Sequence, residues 1–184
     1  MKAIAASVHV CGLRHIPEVL ARTGASHLIS AINADLAPTT PEAISLERHL
    51  KLDMHDIIEP IAGACPPGEE HVGQLIDFVS GWDRSAPLLI HCYAGLSRST
   101  AAAFITLCTL NPDASEERIA LALRSASDTA VPNRRFVGLA DRILKRDGRM
   151  LNALEKMGRN RIAPECVPFS LDGHHEAIKA VRAA

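Results

Sequence analysis

At 184 residues the chain is long enough for one domain with a proper core, and a hydrophobic fraction of 47% with 22% charged residues excludes a disordered chain. A formal net charge of −1 and only 3% aromatic residues tell against nucleic acid as a partner, since few stacking platforms exist. The longest apolar runs, 87–90 and 101–107, are far too short to span a bilayer, and the N-terminus has no long apolar core or clear cleavage site, so a soluble, cytoplasmic protein is expected.

Five cysteines, an odd number without regular spacing, argue against a disulfide framework; none forms C-x-x-C, so neither a thiolate metal site nor any other cofactor is implied. In chain order, 3–10 and 26–32 are short apolar runs bounded by Gly, Pro or polar residues and read as buried strands. The stretch 50–54 alternates, with Leu50, Leu52 and Met54 on one face. Within 68–82, Val72, Leu75, Ile76 and Val79 recur at helical spacing after the Pro66-Pro67 stop. Pro87 opens another strand through His91.

After His91 the pattern turns helical. The alanine-rich run 97–110 ends before Asn111-Pro112, and Ser115 caps a second predicted helix carrying Ile119, Leu121 and Leu123. A third predicted helix, 133–147, places Phe136, Leu139, Ala140, Ile143 and Leu144 on one stripe. Gly148 either ends it or sits inside a longer helix. From Arg134 to Arg161 nine Lys/Arg face three Asp/Glu, a local +6, which suits helix faces with i,i+4 pairs such as Asp141/Lys145 and Glu155/Arg159, or else a docking surface for an anionic partner. These elements predict a three-layer α/β domain over 1–159, with a mainly parallel central sheet flanked by helices and a helical C-terminal half. A tail comes after it over 160–184, with a short helix from Asp172.

The chemistry concentrates in 91–100, His-Cys-Tyr-Ala-Gly-Leu-Ser-Arg-Ser-Thr, where a buried strand turns into a helix. A loop of that kind points backbone N–H groups inward as an anion nest, and the helix after it adds its positive end. Gly95 supplies backbone freedom. Arg98, six positions after Cys92, offers a planar fork for two phosphate oxygens, and Cys92 is placed as a thiolate nucleophile. Ser99 can donate to that sulfur. Tyr93, Ala94, Gly95, Leu96, Ser97 and Arg98 would line the phosphate.

This stretch resembles the signature loop of the protein tyrosine phosphatase superfamily, and within it the compact dual-specificity-like branch. The pattern's fixed positions are matched by His91, Cys92, Gly95, Ser97, Arg98, Ser99 and Thr100. The stretch 50–56 resembles the strand that leads into the family's mobile acid loop, and Pro132-Asn133-Arg134-Arg135-Phe136 resembles its late Pro-Asn-x-x-Phe helix opening. The resemblance covers about 25–148 and implies a phosphomonoester hydrolase working through a phosphocysteine, with His91 and Asn133 bracing the loop. Phosphotyrosine in proteins is the implied substrate, with phosphoserine or phosphothreonine alongside. A small phosphate ester is an alternative substrate, and a phosphate-recognising protein with little turnover an alternative role. Neutral side chains at Tyr93, Ala94 and Leu96 disfavour a phosphoinositide head group, because relatives that use one often carry lysines there.

The family also needs an aspartate acid upstream of the cysteine. Asp53 and Asp56 compete. Asp53 falls within the strand and Asp56 in the loop after it, which favours Asp56. Cys11 and Cys65 lie near the ends of strand-like segments, so either could pair with Cys92 on oxidation, while Cys108 reads as core.

Overall fold

In the computed structural model, which describes residues 6–173, five strands form one sheet in the order β3-β2-β4-β1-β5. They are β1 (Ser7–Gly12), β2 (His27–Ala31), β3 (His49–Leu52), β4 (Leu88–Cys92) and β5 (Phe169–Asp172). The first four run parallel and β5 pairs antiparallel with β1. Side chains alternate between two buried faces, as a covered parallel sheet requires. Cys11, Leu28 and Leu89 face one small cluster; Val8, Val10, Ile29, Leu88 and Ile90 face the main core.

Helix α1 (Ile16–Thr23) closes the small cluster with Ile16, Val19 and Leu20, an i, i+3, i+4 stripe. On the other face lie α2 (Glu69–Ser80), α3 (Arg98–Leu110), α4 (Glu116–Ala126), α5 (Arg134–Ile143) and α6 (Arg149–Lys156). Helix α3 is buried from Arg98 through Cys108, and its alanines let sheet and helices approach closely. The three-layer α/β architecture with a helical C-terminal half is therefore present.

The differences from expectation have local causes. The first strand is Ser7–Gly12 rather than 3–10, whose opening residues lie outside the described ones. β3 ends at Leu52, because the Asp53 carboxylate turns aside to accept the Ala34 N–H at 2.7 Å; Met54 is buried all the same. Ser115 holds the cap position of α4 but its side chain makes no capping bond. Helix α5 stops at Ile143, and Gly148 (φ 83°) separates it from α6. Asp141, instead of pairing with Lys145, is buried and accepts the Gly148 and Met150 N–H groups at 2.6 and 2.8 Å, starting α6. Within 160–173 the chain supplies β5, which ends at Asp172; the short helix expected from there falls on 174–184, outside the described residues.

Most of the basic run is spent on ion pairs between elements. Arg134 binds Glu155, Arg142 binds Glu69, Arg146 and Arg149 share Glu116, Lys156 binds Glu117 and Arg161 binds Asp128, six of the nine cations. Glu155 therefore reaches across to α5 rather than forward to Arg159, which lies beyond the end of α6. Among the described residues no helix is long and apolar enough to cross a membrane.

Candidate active site

Strand β4 delivers Cys92 to the C-terminal edge of the sheet, in register with Gly12 of β1, and six residues later α3 begins. Such an edge is where parallel sheets bind ligands. Four of the five intervening carbonyls, those of Tyr93, Ala94, Leu96 and Ser97, are taken by protein donors. Leu13 N–H reaches Tyr93 O and Cys166 N–H reaches Ala94 O, each at 3.0 Å. Val131 N–H and the Thr100 hydroxyl reach Leu96 O at 2.9 and 2.6 Å. Asn133 N–H and the same hydroxyl reach Ser97 O at 3.3 and 2.9 Å. With its carbonyls turned outward, the loop offers its N–H groups to its own interior.

Gly95 has φ 73°, and a Cβ there would come within 2.8 Å of the backbone at Cys11 C and Gly12 N. Conformation and space therefore both demand glycine. Its N–H donates to Cys92 Sγ at 3.2 Å, and Ser99 Oγ lies 3.2 Å from the same sulfur. Cys92 is 2% exposed and Ser99 fully buried. Arg98, also buried, uses Nη1 on Met54 O at 2.8 Å, while its buried Nε has no protein partner. A buried guanidinium donor without an acceptor is costly in a purely structural role.

His91 extends behind Cys92. Its Nδ1 lies 3.3 Å from Cys92 O and its Nε2 2.6 Å from Ser30 Oγ, which lies 2.8 Å from His49 Nε2; His49 Nδ1 reaches Thr40 Oγ1 at 2.8 Å. Burial pushes both histidines down to about 4, so both rings are neutral near pH 7. A carbonyl only accepts, so His91 Nδ1 carries the proton, and this fixes the remaining roles in turn. Ser30 O–H donates to His91, His49 Nε2–H donates to Ser30, and Thr40 O–H donates to His49. The sequence motif includes His91 but not the chain behind it, because Ser30 and His49 are brought together only by strand register and Thr40 comes in from a loop.

Asp56 sits opposite. Its Oδ1 accepts the Ser97 hydroxyl at 2.7 Å and Asn133 Nδ2 at 2.9 Å. Asn133 Oδ1 also caps α5 by accepting the Phe136 N–H at 3.1 Å, so its side chain serves the helix and the Asp56 segment, while its backbone N–H meets the loop at Ser97 O. Asp53 is engaged away from the loop, at Ala34.

All five cysteines are free thiols. Cys65 is exposed in the segment between β3 and α2, where its N–H bonds to His55 Nδ1. Cys11 lies buried beside the signature loop, and its thiol is pushed up by burial and by its neighbours Cys166 and Cys92. Cys166, which no sequence pattern singles out, packs against Gly95 and is pushed up to about 12, chiefly by burial. The β5 pairing carries its segment there. A cavity of about 870 Å³ flanks the loop, with walls that include Leu13, Tyr93, Ala94, Val167 and Pro168.

No family sequence model and no curated protein sequence matches the chain. Solved structures do. It resembles DUSP15 with a TM-score of 0.58 at 17% identity, over 85% of this chain and 93% of that one. It resembles the Cydia pomonella PTP-2 phosphatase with a TM-score of 0.57 at 20% identity, over 72% and 83%. It also resembles a human tyrosine phosphatase-like serine/threonine/tyrosine-interacting protein, with a TM-score of 0.54 at 17% identity, over 74% and 86%. With phosphatases and a phosphatase-like interacting protein sharing one architecture, what these likenesses establish is the fold: the chain has the α/β fold of the dual-specificity phosphatases.

Proposed function

We propose that the chain is a phosphomonoester hydrolase acting on phosphotyrosine, and also on phosphoserine or phosphothreonine, in proteins. The observation that carries this reading is the cradle itself. Cys92 Sγ lies beneath a loop with outward-turned carbonyls, next to the buried Arg98 Nε that has no protein partner. Phosphate bound there would present phosphorus to the sulfur, with its oxygens on loop N–H groups and the Arg98 fork. The Cys92 thiolate attacks, the P–O bond to the leaving group breaks, and Asp56 gives that oxygen its proton. Its two donors both bind Oδ1, which leaves Oδ2 to carry the proton. In the second half Asp56 takes a proton from water, the water oxygen bonds to phosphorus, and the P–S bond breaks. The Ser99 hydroxyl, 3.2 Å away, supports the departing thiolate.

Apolar walls beside the loop suit the side chains that flank a phosphorylated residue, and neutral Tyr93, Ala94 and Leu96 offer nothing to the further phosphates of an inositol ring. Cys92→Ser is expected to reduce p-nitrophenyl phosphate hydrolysis on the order of 10³-fold or more while vanadate still binds. Asp56→Asn is expected to cost about 10²–10⁴ in kcat on phenyl phosphate and far less where the leaving group is acidic. Retained turnover in Cys92→Ser would remove the nucleophile assignment. A panel in which nucleotides outrun phosphotyrosine peptides would move the substrate to small esters.

A further inference from the structure

Arg134 and Arg135 open α5, a helix whose first turn holds no acidic residue. Cations at a helix N-terminus oppose the helix dipole, so two arginines there need another use. Arg134 reaches Glu155 at 3.1 Å, an exposed pair with α6. Arg135 is half-buried and serves backbone instead. Its Nε donates to Pro67 O at 2.7 Å and its Nη1 to Ile58 O at 3.1 Å. Those carbonyls bracket the excursion 58–67, which carries the chain from Asp56 to the start of α2.

One planar guanidinium thus fastens both ends of that excursion to α5. A second tie crosses its base, where His55 N–H reaches Cys65 O at 2.7 Å. One residue before Arg134, Asn133 Nδ2 holds Asp56 Oδ1 and, at 3.4 Å, Ile57 O. The consecutive carbonyls of Ile57 and Ile58 are therefore both gripped by the first turn of α5. Residues beyond such ties would sample many backbone states. A general acid gains from being held within hydrogen-bond reach of the oxygen it protonates.

We propose that Arg135 is a positioning residue for Asp56, setting where the acid loop sits by closing Ile58 O and Pro67 O onto one fork. The inference rests on the reading of Asp56 as the acid. It predicts a defect confined to proton donation, which a merely structural tie would not produce.

The experiment measures kcat on phenyl phosphate and on 2,4-dinitrophenyl phosphate for wild type, Arg135→Ala, Arg135→Lys, Asp56→Asn and the double variant Asp56→Asn/Arg135→Ala. Arg135→Ala is expected to lose about 10–100-fold on the phenyl ester and less than about 3-fold on the dinitrophenyl ester. Arg135→Lys, which can reach only one carbonyl, should fall between Arg135→Ala and wild type, and it carries the comparison if the alanine variant does not fold. The double variant should be no more than about 2-fold worse than Asp56→Asn on the phenyl ester, because both changes remove one function. Equal losses on both esters, or additive losses in the double variant, overturn the role of Arg135. Graded loss in Asp56→Asn beside a flat response in the Arg135 variants overturns this inference alone. A flat response in Asp56→Asn overturns it together with the acid assignment beneath it.

Discussion

Arg98 shows why residue type, and not charge alone, matters at this site. Its Nη1 is committed to Met54 O at 2.8 Å, which leaves the rest of the fork, the unpartnered Nε included, for an anion. Lysine has three N–H donors but only one nitrogen, so it cannot span Met54 O and an anion with the separated, planar donors of the fork. Arg98→Lys is therefore expected to be nearly as damaging as Arg98→Ala, each about 10²–10³-fold down in kcat on p-nitrophenyl phosphate. Near-wild-type turnover in the lysine variant would show that charge suffices. The two aspartates make a parallel contrast: three residues apart in sequence, one serves the Ala34 turn and the other faces Ser97 and Asn133. Both lie past the end of β3 at Leu52, and what distinguishes them is the Ala34 N–H, which holds the Asp53 carboxylate away from the loop.

Among the elements, the loop from β4 to α3 is the least tolerant of change. Gly95→Ala must place a Cβ against the Cys11 and Gly12 backbone while holding φ at 73°, and neither strand can yield. Both a lowered melting temperature and a weakened vanadate affinity are expected; a variant that melts and binds as wild type would mean the loop has another stable form. The loop and the strand and helix around it were legible because each carries a local signal: an apolar run, a glycine, a helical stripe. Other elements carried none. In β5 only Leu171 is buried, so four residues in a proline-containing stretch show no periodicity, and antiparallel pairing with β1 is a tertiary fact. The end of α5 was misplaced because Leu144 continues the apolar stripe, while the stop is set by Asp141 binding amides seven and nine residues ahead. Helix α1 has a clear stripe, but its eight residues and Pro17 make it easy to pass over.

For the molecule as a whole, three parallel strands and a distant loop are joined behind Cys92 by the chain Thr40–His49–Ser30–His91, ending on the Cys92 carbonyl. The donor order in that chain works only with both rings neutral. Protonating His91 would set two N–H donors against the single Ser30 oxygen, and protonating His49 would turn the Thr40 hydroxyl away. Burial holds both groups at about 4, below the ordinary 6.5, and lowers His9 and His27 in the same direction. A histidine depressed in the folded state binds its proton first in the unfolded chain. Its contribution is therefore complete above about pH 6.5 and is lost as pH falls toward 4. The urea midpoint is expected to hold steady from pH 8 to 7 and to drop progressively between 6.5 and 4. The exposed Asp83 and Asp128, both held below the usual carboxylate range by hydrogen bonds, are lost only at lower pH and so do not mimic that window. His49→Gln removes one of the titrating rings, so it should begin less stable at pH 7.5 and lose less on acidification. A wild-type midpoint unchanged between pH 7 and 4.5 would show that the rings accept protons without leaving their partners, and the ordered chain would then have no part in holding the loop.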